Sequence, residues 1–408
     1  MTADAPGNSP TDGVATASPL DRFRAIVFAD TQLQLELSQP RDAAVFAELA
    51  ARRARERGVR LGAEEIAQAA RPDPLGLARW EAGPPLTDGW PEGDWLPVHI
   101  DGGATPYVDW AHFAGAPLTA PFFEDARREA GARPFNALFR RRSSLAGFSA
   151  AATPARALIP SGLIFHMSRC GSTLVAQMLA ASPRDTVISE APPLDGAIQL
   201  EVLGAASGRD GGVVAAMVSA LGRRQTATRG ALFLKHDSWH VISLPLIRRA
   251  LPRAPWVFLY RDPVEVLVSQ ARQPGMQIVP GMLPAQIIGT HAPAMAADEY
   301  GAAVLGRICT AAGEAFAAGG GLLVNYNELP GAFFTRILPH FGVAPGARTA
   351  EAMWRAAERD AKAPYAAFTP DGPAKRAEAT PRQLELAARH MAAPYRRLEA
   401  LRTGRARS

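Results

Sequence analysis

Leu163-Ile164-Phe165-His166-Met167-Ser168-Arg169-Cys170-Gly171-Ser172-Thr173-Leu174 reads as the end of a buried strand, a short loop of small residues, and the first turn of a helix. Upstream, Leu158 to Phe165 is mostly apolar apart from Pro160-Ser161-Gly162. Downstream, Leu174, Val175, Met178 and Leu179 recur at helical spacing. Gly171 permits close backbone approach, and Ser172 and Thr173 offer hydroxyls where the helix begins. The N–H groups of a first helical turn have no intrahelical partners, and the helix dipole makes them a place for an anion. Arg169 adds a cation to that loop. An ordinary strand-to-helix turn has many of the same features, so the reading needs a second segment.

That segment is Trp256-Val257-Phe258-Leu259-Tyr260-Arg261-Asp262-Pro263-Val264-Glu265-Val266-Leu267-Val268-Ser269. Its apolar run after Pro255 suits a parallel strand buried on both faces. Asp262-Pro263 opens a helix, with Pro at a first-turn position where its missing N–H costs nothing. Ser269 follows Arg261 by two helical turns, so both can lean toward one ligand. Two strand ends of phosphate-binding type therefore follow one another in the chain.

The first loop is not the nucleotide-triphosphate P-loop, which needs Gly-x-x-x-x-Gly-Lys followed by Ser or Thr. No Lys precedes Ser172, and no Gly stands five residues before Gly171. The loop instead resembles the 5′-phosphosulfate loop of the sulfotransferase family, which uses 3′-phosphoadenosine-5′-phosphosulfate (PAPS) as sulfuryl donor. Arg169-Cys170-Gly171-Ser172-Thr173-Leu174 is similar to the Arg-Ser-Gly-Thr-Thr-Leu of tyrosylprotein sulfotransferases, with Cys170 in the Ser position. The resemblance covers roughly residues 156–400. It implies an α/β fold: a three-layer αβα architecture around a parallel sheet of P-loop type. It also implies that Arg261 binds the 3′-phosphate through its planar fork while Ser269 donates a hydroxyl. Leu322-Leu323-Val324-Asn325-Tyr326-Asn327-Glu328-Leu329 resembles the family's late strand with Tyr-Glu-x-Leu, where Tyr326 would contact the nucleotide. Here Asn327 stands where Glu is common.

Sulfuryl transfer needs an in-line nucleophile, a base for the acceptor proton, and cations around the leaving oxygen. Glu190 closes the short strand-like Thr186-Val187-Ile188-Ser189 before Pro192-Pro193, and partial desolvation there would raise its pKa and suit it to base work. A catalytic Glu lies at nearly this distance from the loop in the tyrosylprotein enzymes. Lys235 ends Ala231-Leu232-Phe233-Leu234, at the strand edge where α/β sheets bind ligands. The resemblance gives it the leaving-group role, and Arg169 joins Glu190 and Lys235 as catalytic. His236 is the rival base. Arg272, and Lys375 or Arg376 in a polar C-terminal loop expected to be solvated, are further basic candidates. Cys170 suits a small space-filler better than a reactive thiol.

At 408 residues, with 48% hydrophobic and 20% charged residues, the chain is long enough for two or three domains with a sizeable core. A net charge of +5 fits a polyanionic nucleotide. No dense basic patch with interleaved aromatics calls for nucleic acid. Lysine occurs only at Lys235, Lys362 and Lys375, as expected of a bacterial, GC-rich coding sequence. Two cysteines make neither a disulfide scaffold nor a metal site, so we expect no metal and a reducing cytoplasm. We also expect no signal peptide and no membrane span.

Residues 1–19 read as a disordered tail, 20–72 as a small helical domain, 73–155 as a loop-rich cap and linker, and 156–408 as the sulfotransferase domain. In the second of these, Phe28-x-x-Thr31-x-Leu33, Phe46-x-x-Leu49-Ala50, Gly58 and Glu64-Glu65-Ile66 resemble the Nif11-like domain of nitrogen-fixation proteins and natural-product leader peptides. That resemblance implies a recognition or docking role for a protein or peptide partner. The acceptor, a small molecule or a peptide, has no readable code. Two other classes stay open: a P-loop-type kinase or nucleotide-binding protein, and a non-catalytic peptide-binding module on the same fold.

Overall fold

Side-chain caps cut the N-terminal region of the computed structural model into four helices, Pro19–Ala29 (α1), Thr31–Ser38 (α2), Ala43–Glu56 (α3) and Ala63–Ala69 (α4). The structure describes residues 17–71, 83–204, 210–223, 230–289, 295–359 and 372–404; most of the expected tail, and Thr369 to Asp371, lie outside them. Asp30 ends α1, and its carboxylate accepts from the Leu33 N–H at 2.9 Å, starting α2. Asp42 caps α3 by accepting from the Ala44 and Val45 N–H groups at 2.9 and 3.0 Å. Gly58 stops α3 at φ +74°, the left-handed conformation that favours glycine.

The Pro-, Gly- and Trp-rich region predicted to be loops contains a four-stranded sheet. Its strands are Leu86–Thr87 (β1), Trp95–Asp101 (β2), Tyr107–His112 (β3) and Arg141–Ser144 (β4), in the order β1-β4-β3-β2. The prolines sit in its connections and at one bulge, between Pro97 and His99, which is why the pattern reads as loop. This sheet and the N-terminal helices share a core. Phe139 meets Phe23, Phe28 and Phe46 edge-on, and Trp95 Nε1 donates to the buried Gln34 Oε1 at 2.9 Å.

The second sheet is wholly parallel. It comprises Gly162–His166 (β5), Thr186–Ser189 (β6), Leu232–Lys235 (β7), Trp256–Tyr260 (β8) and Gly321–Asn325 (β9), ordered β6-β7-β5-β8-β9. Every residue of β5, β7 and β8 is buried, so both faces of the sheet are covered, as the continuous apolar runs predict. This is the expected α/β class. The chain leaves β5 toward β6 and leaves β8 toward β9, on opposite sides. The ends of β5 and β8 therefore flank the topological switch point, where open α/β sheets hold ligands. The first sheet packs its β2 on the helices Pro192–Leu203 and Gly212–Gly222. Gly196 makes the approach possible, since a Cβ there would sit 2.4 Å from Ile100 Cγ2.

Candidate active site

After β5 the backbone turns with three residues in the left-handed region: Ser168 at φ 76°, Arg169 at 53° and Gly171 at 85°. Such conformations are costly for non-glycine residues and gather at ligand sites. Gly171 is the N-cap of the helix Ser172–Ala180 and has no side chain to occupy its first-turn N–H groups. A Cβ on Gly171 would sit 2.8 Å from Leu329 Cδ1 and 3.0 Å from Tyr326 Cδ2, so only glycine fits beneath that pair. Arg169 Nη2 donates to Gln273 Oε1 at 2.8 Å, while its Nε is buried without a hydrogen-bond partner. Cys170 turns inward and its Sγ bonds the Leu259 carbonyl at 3.0 Å. Burial pushes the thiol up to about 12, so it fills space as expected.

After β8, Asp262 caps the helix Pro263–Arg272 through the Val264 and Glu265 N–H groups. Arg261 and Glu265 are both buried, with Arg261 Nε donating to Glu265 Oε2 at 2.5 Å. The Arg261 guanidinium also lies over the Tyr326 ring, 4.1 Å from its centre. Ser269 is buried two turns further on. Arg272 pairs instead with Glu378 and is half exposed. The expected solvated C-terminal loop is, from Gly372 to Glu378, a helix. It buries Lys375 against the same cavity and sets Arg376 Nη2 2.7 Å from Glu265 Oε1.

Glu190 follows β6, and Lys235 is the last residue of β7. Ser189 is in register with Lys235, and the Glu190 N–H donates to the Lys235 carbonyl at 2.7 Å. Glu190 takes φ 49° there, which turns its side chain back toward Lys235. Lys235 Nζ donates to Glu190 Oε1; the lysine is buried beneath the Phe122 ring, 5.0 Å from its centre. His166 Nε2 lies 3.2 Å from the same Glu190 oxygen. Here the sequence expectation of a raised Glu190 pKa fails. Burial does push it up, but the Lys235 ammonium and the His166 contact outweigh burial and hold the carboxyl well below its usual range. His236 does not line the cavity wall. It is buried, stacked on Phe165 with ring centres 4.4 Å apart, and burial holds it neutral.

These four strand ends share one cavity of about 920 Å³. Arg169, Cys170, Gly171, Ser172, Thr173, Glu190, Arg261, Ser269 and Tyr326 all line it, and Lys235 stands immediately behind Glu190. The cavity is polarised. Arg261, Arg272 and Lys375 belong to its β8 side, while Glu190, Asp237 and Trp239 follow β6 and β7. Asp237, Trp239 and Gln273 also line the cavity, although sequence reasoning assigned them no role. Of these only Asp237 carried a signal, its place two residues past the end of β7. Asp195, Asp237 and His240 bring polar atoms within 4.8 Å of one another. His240 Nε2 is engaged by Asp195 Oδ1 at 2.8 Å, so the trio is a hydrogen-bonded network. Among the described residues no helix is long and apolar enough to cross a membrane.

No family model matches the chain, and no curated protein does. Among solved structures it is similar to a sulfotransferase from Mycobacterium tuberculosis, at 16% identity over 54% of this chain and 78% of the other, with a TM-score of 0.36. It is similar to the sulfotransferase domain from the curacin biosynthetic pathway at 12% identity, 57% and 97% coverage, and a TM-score of 0.36. The sulfotransferase domain from the Synechococcus PCC 7002 olefin synthase gives 17%, 56% and 93%, with a TM-score of 0.34. Likeness at that level says nothing about activity; the cavity has to speak for it.

Proposed function

We propose that this cavity binds PAPS and transfers its sulfuryl group to the hydroxyl of a small-molecule or peptide acceptor. One observation carries the reading: a helix N-terminus with Arg169, a buried Arg261, and a lysine–carboxylate pair, from four neighbouring strand ends, line or back one cavity. The residues suit a doubly anionic nucleotide. At the β5 end the first-turn N–H groups of the Ser172–Ala180 helix, the Ser172 and Thr173 hydroxyls and the unpartnered Arg169 Nε suit the 5′-phosphosulfate. At the β8 end Arg261 and Ser269, with Lys375 beside them, suit the 3′-phosphate. The volume lies within the range of nucleotide and cofactor pockets.

Lys235 is proposed to turn from Glu190 toward the oxygen that leaves with the adenosine bisphosphate. Arg169 and the helix N-terminus face the transferring group. Glu190, freed of its cation, gains basicity at the moment the acceptor hydroxyl must lose its proton. A kinase reading is disfavoured by the loop, which has no Lys between Gly171 and Ser172. The test is a thermal-shift titration with 3′-phosphoadenosine-5′-phosphate (PAP) against Mg·ATP. A ligand that binds only the native state raises Tm by mass action, by about 2.7 kcal/mol of stability at a hundred times Kd. PAP should protect more than Mg·ATP; the reverse order would hand the cavity to a nucleotide triphosphate.

A further inference from the structure

Glu190 and Asp237 leave the same edge of the parallel sheet, one strand apart, because β6 and β7 run in register from Thr186↔Leu232 to Ser189↔Lys235. Both line the cavity. Their surroundings differ. Glu190 has a lysine and a histidine on one oxygen. Asp237 has no ammonium or guanidinium partner within ion-pair distance among the described residues. The turn Ser238–Ser243 behind it is started by the backbone, the His240 N–H donating to the Asp237 carbonyl at 3.0 Å. The His240 ring lies behind the carboxylate, with Nε2 3.7 Å from Asp237 Oδ2. That ring is fixed from the far side: Asp195 Oδ1 holds His240 Nε2 at 2.8 Å and also accepts from Trp239 Nε1 at 2.9 Å. His240 Nδ1 faces the Asp237 N–H and the buried His236 Nδ1, each at 3.3 Å. The charged groups whose fields reach the Asp237 carboxyl are His240, Glu190, Asp195 and Lys235.

This difference matters for the proton. A carboxylate paired with a lysine is a poor final holder of one, and Glu190 must return to Lys235 after each turnover. Asp237 has the opposite bias. Burial pushes its pKa up to about 7; His240 pulls it back, and the Glu190 and Asp195 charges push it up again. It stands on the same wall with its side chain 14% exposed, enough to meet the cavity.

We propose that Asp237 is the carboxyl on which the acceptor's proton comes to rest, with Glu190 as its relay and the Asp195–His240 pair positioning it. The inference rests on the sulfuryl-transfer reading. As the acceptor oxygen bonds to sulfur, its O–H bond breaks and the proton goes to Glu190. The bridging S–O bond breaks with its electron pair going to the phosphate. The proton then moves from Glu190 to an Asp237 oxygen, and from there to solvent through the cavity, leaving Glu190 ionised to re-pair with Lys235.

The test needs no knowledge of the acceptor, because water serves as one: PAP release from PAPS is followed across the pH range from about 5 to 9, the span over which such groups titrate. Wild type should lose rate as pH falls through about 7, the value at which Asp237 takes up its proton. Asp237→Asn, which keeps the size and shape of the side chain, should lower the rate by about 10²-fold and abolish that limb while PAP affinity stays within about twofold. Asp237→Ser, a smaller polar residue without a carboxyl, replaces it if the Asn variant does not fold. His240→Gln, removing the ring that pulls the Asp237 pKa down, should move the limb upward. An Asp237→Asn enzyme that keeps both the rate and the limb of wild type overturns the inference and leaves sulfuryl transfer standing. A wild type that binds no PAP and consumes no PAPS overturns sulfuryl transfer, and this inference with it.

Discussion

Lys235 Nζ donates to Glu190 Oε1 across the ends of two neighbouring parallel strands. The lysine is 1% exposed and the carboxylate side chain 24%, so the pair is closed behind and open only to the cavity. Removing one partner of a buried pair leaves the other charge uncompensated, at about 3–5 kcal/mol. Because Glu190 reaches the cavity, Lys235→Met should fall near the low end, about 3 kcal/mol, in a denaturant titration. A midpoint equal to wild type would mean the pair contributes nothing.

The same pair gives stability a defined pH dependence. Glu190 titrates lower in the folded chain than its ordinary 4.5. Its contribution is therefore complete above about 4.5 and fades as pH falls through the native value. Asp237 has the opposite sign. Its folded pKa of about 7 lies above the ordinary 3.8, so the native state loses stability as pH rises through that window. In urea titrations against pH, Glu190→Gln should flatten the acid side and Asp237→Asn the change between about pH 4 and 7. Curves parallel to wild type in both variants would contradict the two assignments.

Ser269→Ala tests the β8 anion site with little structural damage, since it removes one hydroxyl and leaves the buried Arg261–Glu265 pair unchanged in composition. It should weaken PAP by about 0.5–1.5 kcal/mol, the value of one hydrogen bond. Adenosine 5′-phosphosulfate, which lacks the 3′-phosphate, should be unaffected. Calorimetric losses equal for both ligands would place Ser269 outside that site.

Gly171→Ala should damage the β5 loop. The residue sits at φ +85° and its new Cβ would press on Leu329 Cδ1 at 2.8 Å. The left-handed conformation alone costs a non-glycine residue about 1–2 kcal/mol. We expect that loss in denaturation and a larger loss in PAP affinity, because the first-turn N–H groups move with the loop. Unchanged PAP binding would mean the loop does not meet the ligand.

Cys170 should be inert. Its buried thiol, bonded to the Leu259 carbonyl and pushed up to about 12, holds almost no thiolate at neutral pH. Iodoacetamide should leave it unlabelled in the native protein by mass spectrometry and label it after unfolding. Rapid native labelling would contradict the burial.

The parallel sheet and the strand–turn–helix units at the ends of β5 and β8 were legible because each is local: an apolar run, a small or acidic cap, and a helix close behind it. Glu190 and Lys235 were found the same way, as strand ends. What they do to each other was not, since that depends on β6 and β7 being neighbours, which no local pattern states. The contact of Arg169 with Gln273 spans 104 residues and was equally hidden. Asp237 was visible beside Lys235 but had no distinguishing residue type; its burial against His240 and Asp195 is a property of the packed chain. The first sheet was missed because the prolines and glycines between and within its strands mimic loop composition.

Turnover of radiolabelled PAPS, with PAP and labelled product resolved by chromatography, tests the central claim most directly. Wild type should convert PAPS to PAP above the buffer rate, with the label on water or on an added hydroxyl acceptor. Glu190→Gln should lower that rate by about 10²–10⁴-fold, the range for a lost general base, without lowering PAP affinity. A wild type that leaves PAPS intact while hydrolysing ATP, or a Glu190→Gln enzyme at full rate, would contradict it.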